Sequence, residues 1–286
     1  MPMRAIGKDM PSPAARGLET VAPGEVLGRI GTLEVRLARD ESEIAAAQEV
    51  RYRVFYDELG ARGNMLQQRD ADHFDSICDH LLVFDTTLPG PDPRRIVGTY
   101  RLLRQEIAAS AGGFYSTDEF ELESLVARHS ERRFLELGRS CVLPDYRSKR
   151  TVELLWQGIW AYCRRHSIDV MTGCASFPGV FPAAHARALS YLAHKFRAED
   201  AWRVRAVPSR YQTMDLMPAE AIDSRAAMAE LPPLIKGYLR VGARFGEGCV
   251  VDADFHTTDV FVVLPVEWIA GRYINYYGAD AQRFAA

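Results

Sequence analysis

Between Phe134 and Thr151 the chain concentrates groups that could do chemistry. The segment Phe134-Leu135-Glu136-Leu137-Gly138-Arg139-Ser140-Cys141-Val142-Leu143 reads as a strand carrying a carboxylate, Glu136, and a guanidinium, Arg139. The turn Pro144-Asp145-Tyr146 leads to a basic loop, Arg147-Ser148-Lys149-Arg150, and a helix is expected to begin at Thr151. A helix N-terminus offers unpaired N–H groups and the positive end of the helix dipole, so a cationic loop there suits a phosphate. Together these groups outline an acyl-carrier site.

Other charged residues raise a question of partnership. Asp70-Ala71-Asp72-His73-Phe74-Asp75 reads as a solvated acidic loop or, equally, as acids that hold a substrate ammonium or pair with Arg51. Arg101 lies among apolar neighbours in Gly98-Thr99-Tyr100-Arg101-Leu102-Leu103, so it must escape at a strand end or meet an acid. His73 has no second ligand at zinc spacing, and no metal site is expected. The five cysteines form no CxxC pair and read as reduced core residues.

The elements that must position these groups follow from periodicity. Leu33, Val35 and Leu37 alternate with polar residues as in a half-buried strand. Asp40 fits an N-cap with Glu43 closing a capping box, and the helix they start ends near Gly60, with Arg51 and Phe55 on one face. His80 to Asp85 and Ile96 to Leu103 read as adjacent antiparallel strands, with a helical stretch around Glu119 to Ala127 after them. Apolar residues from Val152 to Cys163 recur near a 3.6 period, so a helix from Thr151 to His166 joins the Phe134 strand to a buried strand at Val170 to Ala175. That succession is a βαβ-like unit. A helix over Ala183 to His194, short strands near Val204 to Ala206 and Val260 to Val263, and a basic amphipathic helix from Leu234 to Phe245 complete the reading. The last would expose Lys236, Arg240 and Arg244 to solvent or to a membrane surface.

Length and composition set the bounds. At 286 residues the chain can hold one elaborated domain, assigned to residues 29–286, preceded by a loose proline-containing arm at 1–28. A formal charge of −3 excludes a global nucleic-acid field, so any electrostatic function is local. No apolar run approaches the roughly 20 residues of a spanning helix. The expectation is a cytoplasmic protein able to lie on a membrane without crossing it.

Several spacings then resemble one group of enzymes. Arg51-Tyr52-Arg53-Val54-Phe55-Tyr56-Asp57-Glu58-Leu59-Gly60, Asp72-x-x-Asp75, Arg101 in its strand and Glu136-x-x-Arg139 look like the motif set of acyl-homoserine-lactone synthases, members of the GNAT superfamily. Downstream, Gly237-Tyr238-Leu239-Arg240-Val241-Gly242-Ala243 and Asp252-Ala253-Asp254-Phe255-His256-Thr257-Thr258-Asp259-Val260 look like the haemolysin-like branch, which includes ornithine–acyl-carrier-protein N-acyltransferases. The resemblance implies an α/β, GNAT-like mixed and largely antiparallel central sheet flanked by helices, with a C-terminal extension. It implies transfer of a 3-hydroxyacyl chain from acyl carrier protein to the α-amine of ornithine, giving lyso-ornithine lipid. No bound cofactor is expected, because the donor carries its own 4'-phosphopantetheine.

Such a reaction needs a neutral amine, a stabilised oxyanion and a protonated leaving thiol. Glu136 would be the base, beside Arg139, with its bland alternative an ion pair to Arg139 or Arg101. Backbone N–H groups after Glu136 would hold the oxyanion and Tyr146 would protonate the thiolate, whereas Cys141 as a nucleophile is disfavoured. Arg147, Lys149, Arg150 and Thr151 would hold the carrier. Arg51, Asp72, Asp75, Arg101 and Arg139 would form a charge network lining the cleft, and Phe55 and Phe84 would line the acyl passage. The rivals are an autoinducer synthase and a non-catalytic carrier-protein or lipid-binding module, the latter making the charged cleft a docking surface alone.

Overall fold

In the computed structural model, which describes residues 22–62 and 68–269, largely buried strands build one eight-stranded sheet. Its strands are β1 (Val26–Ile30), β2 (Leu33–Leu37), β3 (Asp79–Asp85), β4 (Ile96–Arg104), β5 (Phe134–Val142), β6 (Val170–Pro178), β7 (Arg244–Asp252) and β8 (Thr257–Pro265). They lie in the order β1-β2-β3-β4-β5-β6-β8-β7. Every neighbouring pair is antiparallel except β5 and β6, which are parallel and joined by helix α4 (Lys149–Arg165). The mixed, largely antiparallel sheet is the expected one.

The two-residue period of β3 distributes its side chains to two cores. Leu81 and Val83 join the main cluster with Leu154, Leu155 and Ile159 of α4, and Leu82 and Phe84 pack with Ala47 and Val50 on the opposite face. Helix α1 (Glu41–Tyr52) covers that second face. Gly158 lets α4 lie close to the sheet, for a Cβ there would stand 2.9 Å from Val35. Shorter helices α2 (Gln105–Ser110) and α3 (Leu122–Arg128) lead into β5, and α5 (Ala186–Lys195), α6 (Ser224–Glu230) and α7 (Pro233–Val241) follow β6.

Several boundaries differ from the sequence expectation. Asp40 caps α1 by accepting from the Ser42 and Glu43 amides, but Glu43 does not close a capping box. Its carboxylate grips buried Arg36 at 2.6 and 2.7 Å and accepts from the Arg39 amide, a stronger claim than a cap contact. A π-helical turn, Arg53–Glu58, carries the chain on to Gly60, whose positive φ ends it. Strand β1 begins at Val26, so pairing with β2 starts inside the stretch assigned to the arm, and residues 1–21 lie outside the described residues. The segment Leu234 to Phe245 divides: Gly242, at φ 101°, stops α7, and Arg244 opens β7 with its guanidinium over Phe196. Val204 to Ala206 makes isolated bridges instead of a strand. No helix among the described residues is long and apolar enough to cross a membrane.

Candidate active site

Strands β5 and β6 pair only from Phe134 with Val170 to Glu136 with Thr172, and then part. Gly173, at φ 153°, allows β6 to turn beneath β5, because a Cβ there would collide with the Leu137 carbonyl oxygen. On its other edge β5 bulges: Thr99 pairs with Cys141 but Arg101 with Gly138, so Tyr100 stands opposite Arg139 and Ser140. Arg139 adopts φ 49°, the left-handed region that side chains rarely occupy. Its guanidinium holds that turn in place, bonding Asp70 at 3.1 Å and Asp72 at 3.2 Å between the rings of Tyr115 and Phe255.

The parting leaves a cavity of about 250 Å³. Glu136, Asp252 and Asp259 supply its acids, Arg139 is the one cation among its lining residues, and Phe55, Tyr100, Tyr115, Tyr238 and Phe255 give aromatic walls. Glu136 is buried and accepts from the Tyr115 amide at 2.7 Å, the Ser116 amide at 2.9 Å and the Ser116 hydroxyl at 2.6 Å. Burial pushes its carboxyl above the usual range against those three donors. No ion pair joins it to Arg139 or Arg101 among the described residues, so in place of the alternative reading as a structural ion pair stands a hydrogen-bonded anchor. A carboxylate offers about four lone pairs. Two bonds occupy Oε1 and one occupies Oε2, so one acceptor site remains on a residue that lines the cavity.

The acidic segment is no solvated loop. Asp72 caps a single helical turn, His73–Ser76, and Asp75 closes that cap. Fully buried Arg51 meets Asp75 at 2.8 and 2.7 Å, and Arg101 bridges Asp72 at 2.6 Å to Asp75 at 3.2 Å. Burial would raise the Asp75 carboxyl, but Arg51 and then Arg101 hold it well below the usual range. The expected network therefore exists, yet of its five members Arg139 alone lines the cavity. Arg51, Asp72, Asp75 and Arg101 fix Arg139 from behind, tying α1 and the acidic turn to β4 and β5. Their carboxylates are spent on guanidiniums and are not left for a substrate ammonium.

Phe55 lines the cavity; Phe84 does not. It packs under the Arg36 guanidinium, 3.9 Å away, in the core beneath α1. Tyr146 also lies elsewhere, donating to Asp85 at 2.9 Å beside the β1–β2 turn. Cys141 is buried on the α1 face with its thiol pushed up to about 12 by burial. Cys174 does line the cavity, but burial and the Glu119, Asp259 and Glu136 carboxylates raise its thiol far above the usual range, which removes it as a nucleophile.

The basic loop divides by partnership. Arg147 grips Glu58 through two bonds of 2.6 Å, and Thr151 is buried with its hydroxyl on the Tyr146 carbonyl, so both already have partners within the fold. Helix α4 begins at Lys149, two residues before the expected start, with Ser148 as its N-cap. That puts Lys149 and Arg150 in the first turn, where cations run against the helix dipole. Both are exposed; Lys149 has only a surface contact with Glu153 at 3.3 Å.

Sequence reasoning missed Glu119, Asp252 and Asp259, whose carboxylates gather within 4.8 Å of one another. In the sequence Asp259 abuts the apolar run Val260 to Leu264, a charge beside apolar neighbours of the kind that singled out Arg101.

The sequence matches the model of the GNAT acetyltransferase domain over residues 50–157. It is 63% identical over 262 residues to the L-ornithine N(alpha)-acyltransferase of Brucella abortus (strain 2308), covering 91% of this chain and 93% of that one. The protein of that name from Rhizobium meliloti (strain 1021) is 60% identical over 92% of this chain and 90% of its own. Its counterpart in Rhodobacter capsulatus is 43% identical over 85% and 94%. Among solved structures, FeeM, an N-acyl amino acid synthase from uncultured soil microbes, aligns with 82% of this chain and 92% of its own at 11% identity and a TM-score of 0.48.

Proposed function

The chain belongs to the family of L-ornithine N(alpha)-acyltransferases, and we propose that it transfers a 3-hydroxyacyl chain from the phosphopantetheine thioester of acyl carrier protein to the α-amine of ornithine. The product is lyso-ornithine lipid, and the work is done at the inner membrane surface. The observation that carries this reading is the opening between two parallel strands, with a buried carboxylate and a guanidinium on its rim.

At neutral pH the α-amine arrives as an ammonium. Glu136 accepts one proton on its remaining acceptor site, directly or through water, and frees the nitrogen lone pair. That pair attacks the thioester carbon, forming the C–N bond while the carbonyl π electrons move to oxygen. Backbone N–H groups of β5 beyond Glu136, where the β6 ladder has ended, would meet the oxyanion. Collapse restores the carbonyl and breaks the C–S bond, and the thiolate takes the second proton released by the nitrogen. Tyr146 lies outside the cavity and has no part in this scheme. Arg139 faces the ornithine α-carboxylate with donors left over from Asp70 and Asp72. Phe55 and Phe255 wall the acyl passage.

Lys149 and Arg150, at the N-terminus of α4, are suited to the single phosphate of phosphopantetheine or to the acidic face of its carrier. The Arg147–Thr151 loop contains no glycine, unlike the pyrophosphate-binding loop of coenzyme A users, which favours the carrier-borne donor. Purified protein given ornithine and one acyl chain, on carrier protein or on coenzyme A, tests the proposal. A kcat/KM at least tenfold higher with the carrier is expected; equal or greater efficiency with coenzyme A would refute the carrier assignment, and no acylornithine with either would refute the activity.

A further inference from the structure

The reaction scheme uses Glu136 and Arg139 but leaves unused the acids at the β7–β8 side of the same cavity. Asp252, which ends β7, and Asp259, within β8, line it, and Glu119, outside the lining, reaches them from the segment before α3. Three carboxylates within 4.8 Å repel one another, so a buried group of them must either take up protons or face a cation. The cations present answer only part of that demand. Arg210 lies 3.1 Å from Glu119, and Asp252 accepts the Asp254 and Phe255 amides through one oxygen.

Asp259 is left with an unmet need. It is 7% exposed, lines the cavity, and its Oδ1 has no hydrogen-bond partner. Against the upward push of burial, the Ser176 and Thr257 hydroxyls, which also line the cavity, draw its carboxyl down but make no hydrogen bond to Oδ1. A buried carboxylate oxygen without a donor is costly, and such atoms in native structures mark a role outside the fold itself.

Resting on the ornithine reading above, we propose that Asp259, with Glu119 and Asp252, forms the pocket that binds the δ-ammonium of the acceptor and so selects a basic amino acid over an apolar one of the same length. An ammonium carries three donors and no acceptor, matching three facing carboxylates. The division of labour is consistent: Arg139 takes the α-carboxylate, Glu136 deprotonates the α-amine, and the triad keeps the δ-nitrogen charged and therefore non-nucleophilic. That last effect directs acylation to the α-nitrogen. A hard divalent cation is a poorer fit, because it takes six to eight oxygen ligands and here one carboxylate is already shared with Arg210.

The test compares ornithine with norvaline, which has the same carbon chain without the amine. Wild type is expected to favour ornithine at least a hundredfold in kcat/KM, and Asp259→Asn to lower that preference about ten- to a hundredfold, chiefly through KM for ornithine. Glu119→Gln should lower it in the same direction, which provides a second reading if Asp259→Asn fails to fold. A wild type that acylates ornithine and norvaline equally, or folded variants with unchanged preference, would overturn the pocket while leaving ornithine acylation standing. A wild type that acylates neither would instead overturn the activity. Loss of ornithine acylation on treatment with EDTA, restored by Mg²⁺ or Ca²⁺, would assign the triad to a metal and overturn the proposal.

Discussion

Replacing Glu136 by glutamine separates its two roles, anchor and base. Three donors converge on the carboxylate, at 2.6, 2.7 and 2.9 Å. The glutamine oxygen can keep the two Ser116 bonds, but its NH₂ then faces the Tyr115 amide, donor against donor. Losing that bond and stranding one buried N–H costs about 1–3 kcal/mol. Neutralising a carboxylate whose ionisation is already opposed by burial offsets part of that loss. At about 2–4 °C per kcal/mol, the melting temperature should fall by no more than roughly 12 °C. A domain with about 5–15 kcal/mol of stability stays folded at 25 °C after such a loss. Turnover should nevertheless fall about 10²- to 10⁴-fold, the usual contribution of a positioned base. The assay is release of free carrier thiol at saturating ornithine and acyl carrier protein, with circular dichroism as the control for folding. A folded Glu136→Gln protein whose kcat stays within threefold of wild type would remove Glu136 as the base.

Three further outcomes follow from the geometry. Arg51→Met should cost about 3–5 kcal/mol by leaving the Asp75 carboxylate buried without its bidentate partner, seen as a large drop in the urea midpoint; an unchanged midpoint would mean that the network carries no stability. Lys149→Glu combined with Arg150→Glu should raise KM for acyl carrier protein without raising KM for ornithine, and the difference should shrink as salt is added. Burial and then the Asp252 charge push Asp259 up to about 6, and burial and then the Asp259 charge push Glu119 up to about 7. The folded state without substrate therefore holds protons that the unfolded chain releases above about pH 4, so their contribution to stability is present below that pH and lost as pH rises through these values. The stability of wild type minus that of Asp259→Asn should accordingly fall between about pH 4 and 6, a difference in which the opposing terms from His80 and His166 cancel; a rise would reverse the sign of the burial argument.

The sequence was informative wherever period and polarity agreed. The period-two run of β2, the apolar runs of β3 and β4 and the 3.6 period of α4 were legible, as was the β5–α4–β6 unit that creates the opening. Strand β7 was not, because Gly246 and Gly248 interrupt its alternation at a bulge that no local pattern announces. Boundaries failed where partners come from far along the chain. Glu43 looked like half of a capping box until Arg36 claimed it, and Arg147 looked like a phosphate ligand until Glu58, 89 residues earlier, took both its bonds. The five charged residues of the network were found because buried charges demand partners; that four of them stand behind the cavity depends on the bulge at Arg139, a three-dimensional event. The same logic applied to Asp259 beside its apolar run would have found the acidic pocket.

The central claim is that ornithine is acylated in the opening between β5 and β6. A crystal structure with a bisubstrate analogue, ornithine joined through its α-nitrogen to pantetheine, tests it most directly. The α-nitrogen is expected within hydrogen-bonding distance of Glu136, the α-carboxylate on Arg139 and the δ-ammonium on Asp259. An analogue seated elsewhere, or one with its α-nitrogen turned away from Glu136, would contradict it.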